Sequence, residues 1–382
     1  MNNNKIKVLN VSNYYKPHIG GIEQLVHDIS DSLIDECEQK VICFNSEKES
    51  KVEVVDGVEV TYIGSFAKVA SQSLCIGYGR ALKRIIREYE PDVVIFHYPN
   101  PFVATKLMKH LKNRKFKFII WWHLDITKQK LLKLFFEPQN QELLKYADKI
   151  VATSPNYIEG SKYLSSVKEK CIVIPSCVNE HRIAYTDINI KNAKDIKEKY
   201  SGKTILFAFG RHVEYKGLKY LIKASKLLDD RFVVLIGGEG PLTKSLKELA
   251  QDDKKVVFLG RLTDSQLKDY LIACDIFCFP SITKNEAFGI GLAESLYYGK
   301  PSITFNIPGS GVNYVSVDGL TCTEVENCNY HAYANAIIDL ASDENKYLTY
   351  KNNALERVKL FSYDLFKEKV EDLVLNICEK KD

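Results

Sequence analysis

Ile276-Phe277-Cys278-Phe279-Pro280-Ser281 is followed closely by Glu286-Ala287-Phe288-Gly289-Ile290-Gly291-Leu292-Ala293-Glu294. The apolar run Ile276 to Phe279 predicts a buried strand, and Pro280-Ser281 close it. A short helix comes next, ended by Gly299 and Pro301. Glu286 therefore falls in the loop at the carboxyl end of a strand, where open α/β sheets bind ligands. Gly289 and Gly291 leave backbone N–H groups free at a helix start, which suits a phosphate. Glu294, eight positions after Glu286, can turn back towards a sugar hydroxyl. A loop acid, an anion-binding helix start and a second acid suit a nucleotide-sugar site. A plain buried helix start with two surface acids is the bland alternative.

Outward from this stretch, apolar runs alternate with amphipathic segments, the pattern of parallel sheets built from βαβ units. In the first half the runs are Ile6 to Val11, Val41 to Asn45, Val93 to His97, Phe116 to Trp122, Lys149 to Thr153 and Ile172 to Ile174. Asp56-Gly57 predicts a hairpin between Val52–Val55 and Val58–Ile63. Helices are expected after Gly21, Ser71, Pro101, Pro138 and Pro155. Between Asn179 and Tyr200 the chain turns polar and irregular, and residues 181–202 are expected to be a linker. Strands resume at Thr204–Phe209, Phe232–Ile236, Val256–Leu259, Ile276–Phe279 and Ser302–Phe305. The reading is two consecutive Rossmann-like domains, residues 1–180 and 203–362, with a last helix in 363–382. A single Rossmann enzyme with a large insertion is the alternative.

The 382 residues are 45% hydrophobic and 27% charged, as in a folded globular protein. A net charge of +4 is small, and no Lys/Arg run is interleaved with aromatics, so nucleic acid is not an expected partner. The ten cysteines are scattered, with no C-x-x-C and no Cys/His cluster. No metal site is expected from them. Cys43 and Cys278 sit in apolar strands as small core residues, which favours a reducing, cytoplasmic compartment. Met1 to Lys5 run into a strand without a signal-peptide pattern. No apolar run approaches the ~20 residues of a membrane span.

Other strand ends carry chemistry. After Thr204–Phe209 comes Gly210-Arg211-His212-Val213-Glu214-Tyr215-Lys216-Gly217. Arg211 and Lys216 can hold a diphosphate, one as a fork and one as a point charge. A solvated loop with chance basic residues fits equally. In Ile236-Gly237-Gly238-Glu239-Gly240-Pro241-Leu242, Gly238 and Gly240 let a flat base approach the backbone. Leu259-Gly260-Arg261-Leu262 ends the next strand. In Tyr14-Tyr15-Lys16-Pro17-His18-Ile19-Gly20-Gly21-Ile22-Glu23, Gly20 and Gly21 open a helix whose N–H groups can meet a phosphate. This is not G-x-G-x-x-G, which argues against a dinucleotide site. Trp121-Trp122-His123-Leu124-Asp125 closes a buried strand, where His123 and Asp125 can bind sugar hydroxyls or polarise a reacting group. His97 ends the neighbouring strand. Residues 106–133 are strongly basic, with Lys106, Lys109, Lys112, Arg114, Lys115, Lys117, Lys128, Lys130 and Lys133 against Asp125 as the lone acid. Such a surface is either a solvated helix face or one that rests on anionic lipid.

Taken in order, these elements resemble the retaining glycosyltransferases of the GT-B fold, most closely family 4. The E-x7-E pair Glu286/Glu294, the G-R-x-x-x-x-K-G of Arg211/Lys216, the G-x-G-P-L of Gly238/Gly240 and the P-x-x-G-G-x-E of Gly20/Gly21 match that family's motifs. The likeness runs from Tyr15 to about Tyr363. It implies an α/β GT-B architecture, two doubly wound domains facing an interdomain cleft, with residues 1–180 on the acceptor side. It implies that the helix in 363–382 crosses back to the first domain.

The resemblance also implies roles. Glu286 holds the donor sugar and supports positive charge at the anomeric carbon. Arg211 and Lys216 stabilise the leaving nucleoside diphosphate in place of a metal; no Asp-x-Asp ends a strand here. Glu294 binds the ribose hydroxyls, and His123 faces donor sugar and acceptor. Gly20, Gly21, Gly238, Gly240, Arg261, Leu262, Phe288, Gly289 and Ile290 complete the donor side; Asp125 and His97 lie on the acceptor side. The expected reaction is metal- and cofactor-independent retaining transfer of a hexose to a saccharide or lipid-linked saccharide, in surface polysaccharide or glycolipid synthesis. The likeness is to bacterial mannosyl- and rhamnosyltransferases, which puts GDP-mannose first as donor and a UDP-hexose second. In such enzymes the first domain often meets the inner face of the cytoplasmic membrane, here through residues 106–133. One departure is Gly291-Leu292-Ala293-Glu294-Ser295, where the family more often has Leu-Glu-Ala. A sugar-nucleotide epimerase of the same architecture is disfavoured by the Glu pair. A catalytically silent GT-B scaffold subunit is disfavoured by the four intact residues Arg211, Lys216, Glu286 and Glu294.

Overall fold

Apolar runs that end in loops form strands buried on both faces, as parallel sheets require. The computed structural model describes residues 5–18, 20–69, 72–125 and 130–379. They fall into two units, residues 1–176 with 364–382, and residues 177–363.

In the first unit the strands are β1 (Ile6–Val11), β2 (Cys37–Phe44), β3 (Lys51–Val55), β4 (Val58–Ile63), β5 (Ala67–Val69), β6 (Gln72–Leu74), β7 (Val93–Tyr98), β8 (Lys117–Trp122), β9 (Lys149–Ala152) and β10 (Cys171–Val173). Eight of them form one sheet in the order β10-β9-β8-β7-β1-β2-β4-β3. Only β3 runs antiparallel, against β4, through the turn at Asp56 (φ 47°) and Gly57 (φ 83°). The strand order reverses where β1 pairs with both β2 and β7. Helices α1 (Gly21–Ser32), α2 (Tyr78–Tyr89), α3 (Pro101–Leu107), α4 (Lys130–Tyr146) and α5 (Pro155–Gly160) link the strands. The helix expected to begin at Pro138 starts earlier, at Lys130, and Pro138 lies inside it. The neighbouring Gln139 amide donates to the Pro101 carbonyl (3.0 Å) and to Thr105 Oγ1 (2.7 Å), tying that turn to α3.

In the second unit the segment 181–202 is not a linker. It holds α6 (Glu180–Ile183) and α7 (Asp187–Lys199). Helix α7 starts at a Thr186/Asn189 capping box, and Asn189 and Asn192 donate to the buried Asp269 at 2.6 and 3.0 Å. Strands β11 (Thr204–Phe209), β12 (Phe232–Gly237), β13 (Val256–Gly260), β14 (Ile276–Phe279), β15 (Ser302–Phe305) and β16 (Cys322–Val325) are all parallel, in the order β13-β12-β11-β14-β15-β16. Strand β16 escaped the sequence reading because it is a short edge strand, mostly half-buried. Helices α8 (Leu218–Ser225), α9 (Thr243–Ala250), α10 (Asp264–Ala273), α11 (Ile290–Tyr297), α12 (Val312–Val315), α13 (Tyr330–Ser342) and α14 (Glu344–Arg357) complete the unit. Order reverses where β11 lies between β12 and β14.

The last helix, α15 (Tyr363–Glu379), groups with the first unit from residue 364. Its Phe366 ring lies 6.3 Å from Trp121, and Lys367 pairs with Asp35 at 3.2 Å. Among the described residues no helix is long and apolar enough to cross a membrane.

Candidate active site

The reversal point of the second sheet gathers the strongest candidates. Arg211 follows β11, Lys216 closes the short helical turn Glu214–Lys216, and Glu286 stands in the loop after β14. Lys216 Nζ lies 2.5 Å from Glu286 Oε2, with both side chains largely buried. Burial alone would lower the Lys216 pKa, but the Glu286 carboxylate outweighs it and raises the value. The ammonium also lies over the Tyr215 and Phe279 rings, 5.6 and 5.1 Å from their centroids. Ser281 Oγ donates to Glu286 Oε2 (3.1 Å), and Ser310 Oγ to the Glu286 carbonyl (2.5 Å). Ser281 lies only five positions from Glu286 in sequence, whereas Ser310, 24 positions away, is brought close by tertiary structure.

Backbone contacts lock these loops. Gly217 has φ +62°, and a Cβ there would overlap the Pro280 carbonyl oxygen. The Ile282 N–H donates to the Tyr215 carbonyl at 2.9 Å. On the other side, Gly238 has φ +105° and packs directly on Gly210, and the Gly240 N–H donates to Thr243 Oγ1 at 2.9 Å. A Cβ at Gly238 or Gly240 would overlap the neighbouring loop, at the backbone of Gly210 and His212. Buried His212 is bonded to the same Thr243 oxygen at 2.9 Å. Together Gly210, Arg211, Gly238, Glu239, Gly240, Thr243 and Arg261 line a depression of ≈ 710 Å³. Arg211 and Arg261 are exposed in it, and Leu262 packs beside Gly237. Glu239 and Thr243 are lining residues that the sequence reading did not single out.

Gly289 caps α11, and Phe288 is buried against the Phe361 ring (5.4 Å). Ile290 opens the helix half-buried. Glu294, 4% exposed, pairs with Arg182 of α6. Arg182 lies in the polar segment whose sequence predicts a linker, so no local pattern marks it as a partner for Glu294.

The first unit has its own cluster at its sheet's reversal. His97 Nδ1 lies 3.1 Å from His123 Nε2, and His97 Nε2 lies 3.2 Å from Asn10 Oδ1. All three are buried. Burial pulls the His123 pKa from 6.5 to about 3; burial and His123 together push His97 well down. Both rings are therefore neutral near pH 7. Asp125 is held by the Trp122 indole N–H (3.0 Å) and Ser161 Oγ (2.8 Å). Gly20 and Gly21 do start α1, and the Glu23 carboxylate folds back over Gly20.

Of the basic stretch, Lys106, Lys109, Lys112 and Lys115 are exposed. Arg114 is instead bound to Asp148 at 2.8 Å. Lys109, Lys112, Arg114, Lys115 and Arg87 line a groove of ≈ 790 Å³ that also contains Glu90 and Asp92. Lys128 lies outside the described residues, as do the side chains of Lys130 and Lys133.

Comparison with known proteins gives a consistent result. Residues 189–357 match the family "Glycosyl transferases group 1", and residues 19–182 match "Glycosyltransferase Family 4". The chain is 28% identical to O-antigen chain mannosyltransferase C of Escherichia coli, over 98% of this chain and all of that one. It is 31% identical to the D-rhamnosyltransferase WbpZ of Pseudomonas aeruginosa, over 82% of this chain and 81% of that one. Among solved structures, a sucrose-phosphate synthase from Thermosynechococcus elongatus superposes with a TM-score of 0.81 at 16% identity, covering 98% and 99% of the two chains. That last likeness concerns fold alone.

Proposed function

Because the chain belongs to the group 1 glycosyltransferases, with a GT-B fold, we propose that it is a retaining hexosyltransferase that uses GDP-mannose. The acceptor is a saccharide or lipid-linked saccharide in surface-polysaccharide synthesis. The observation that carries this reading is the buried Lys216–Glu286 pair at the reversal point of the second sheet. A cation fixed there by a carboxylate is preorganised for the negative charge that grows on a departing diphosphate. Exposed Arg211 adds a second cation with fork geometry. The two cations together supply the charge that a divalent metal would otherwise supply. No further cofactor enters the proposal.

In the step proposed, the bond between the anomeric carbon and the diphosphate oxygen breaks, and its electron pair leaves with GDP. The acceptor oxygen bonds the anomeric carbon on the same face, and its proton passes to the leaving phosphate. Glu286 supports the positive charge on the sugar, and Glu294, held by Arg182, takes the ribose hydroxyls. Likeness to a mannosyltransferase over nearly the whole chain supports mannose as the first donor to test. The exposed Lys109, Lys112 and Lys115 support a resting place on the anionic inner face of the cytoplasmic membrane.

The test is product analysis with labelled GDP-mannose, with UDP-hexoses as competitors and EDTA present. The expected product keeps the donor's anomeric configuration and forms undiminished in EDTA. An inverted product, loss of turnover in EDTA, or transfer only from a UDP-sugar would each remove the corresponding part of the proposal.

A further inference from the structure

Asn10, His97 and His123 form a chain of contacts across three adjacent strands, β1, β7 and β8. Asn10 sits among Val8, Leu9 and Val11 in β1 and is fully buried. A polar side chain there needs a partner; in the orientation the structure gives this amide, Oδ1 has one in His97 Nε2, while the buried Nδ2 has none among the described residues. A carbonyl oxygen only accepts, so His97 Nε2 carries the proton. A neutral imidazole has one N–H, so His97 Nδ1 is a bare acceptor. The facing His123 Nε2, at 3.1 Å, must then donate. This leaves His123 Nδ1 as a lone pair. Among the described residues no protein group hydrogen-bonds that atom.

We infer that His97, backed by Asn10, is a positioning residue that locks His123 in its Nε2–H tautomer, so that His123 Nδ1 accepts a hydrogen bond from a sugar hydroxyl. The relay explains why two histidines are buried side by side: each is neutral, and each N–H has an acceptor. Which imidazole nitrogen carries the proton is set by the bond its other nitrogen makes. The ring stack between His97 and His123, 5.4 Å between centroids, adds orientation. The role of the hydroxyl rests on the glycosyltransferase reading; the tautomer does not.

The test is therefore made first without any sugar. In protein labelled with 15N-histidine, long-range 1H–15N spectra read the tautomer of His123, its signals assigned by their loss in His123→Gln. Wild type is expected to show a protonated Nε2 and a bare Nδ1. Asn10→Asp keeps an acceptor and is expected to preserve that pattern, whereas Asn10→Leu and His97→Phe release it to a mixture. With substrates, His97→Phe is expected to lower kcat by about 10-fold or more with little change in the donor KM, the scale seen when a partner orienting a functional histidine is removed. A protonated Nδ1 in wild-type His123 would overturn the inference even if neither Asn10→Leu nor His97→Phe folds. So would a tautomer unchanged in folded Asn10→Leu and His97→Phe. A correct tautomer with normal kcat in His97→Phe would also overturn it.

Discussion

Lys216 and Glu286 hold each other where water is largely excluded, so removing either leaves the other as a lone buried charge. Lys216→Ala and Glu286→Ala are each expected to lower turnover by ~100-fold or more, the scale of losing one preorganised electrostatic group. Steady-state rates on variants confirmed as folded by circular dichroism check this; near-normal rates would remove both residues from the site. His123 makes a different prediction. Its folded pKa, about 3, lies below the unfolded value near 6.5. Between those two values the unfolded chain binds more protons, so stability rises with pH there and is lost as pH falls from about 6.5 towards 3. Melting temperatures across pH 7 to 4.5 should fall for the wild type and fall less steeply for His123→Gln. An identical slope in the two proteins would mean that the ring is not held neutral. Asn10 was legible in principle, as an amide among Val8, Leu9 and Val11. Arg182 and Ser310 were not, because their partners are 112 and 24 positions away, through contacts that no local pattern encodes, and Ser281, only 5 positions from Glu286, reads simply as the end of a strand.

At the scale of elements, the loops after β11 and β14 act as one piece. Gly217 is in the left-handed region and lies hard against the Pro280 carbonyl. Gly217→Ala combines backbone strain with a steric overlap, and is expected to destabilise by about 1–3 kcal/mol and to displace the adjoining Lys216. A thermal melt checks the first part and turnover the second; a wild-type melt would show that the two loops move independently. Central strands were legible because strands covered on both faces read as unbroken apolar runs. Helix α7 was not. It buries Asn189 against Asp269 beside Ala193 and the half-buried Ile196, while Ile188 stands 68% exposed and Ile190 37%, so its apolar residues are split between two faces. Its capping box uses Asn189 rather than the usual Glu or Gln. A split apolar pattern and an unusual cap together look like linker.

For the whole molecule, both sheets place their candidate residues where strand order reverses, as ligand sites in open α/β sheets do. The family that the ordered motifs resemble is the family to which the chain belongs. Order mattered more than any single motif, since each one alone also fitted a plain turn or a solvated loop. Donor choice is less legible. Membrane docking belongs to this scale too. Reversing Lys109, Lys112 and Lys115 together, while leaving the Asp148-bound Arg114 in place, is expected to abolish co-sedimentation with anionic liposomes. Unchanged sedimentation would leave the groove as a solvated face. The most direct test of the central claim is thermal shift against GDP, UDP, ADP and dTDP, run on wild type and Lys216→Ala. A nucleotide that binds only the native state raises its melting temperature. The account predicts a selective rise with GDP that is lost in Lys216→Ala. A rise with UDP or dTDP alone would contradict the donor, and no rise with any of the four would contradict the nucleotide site itself.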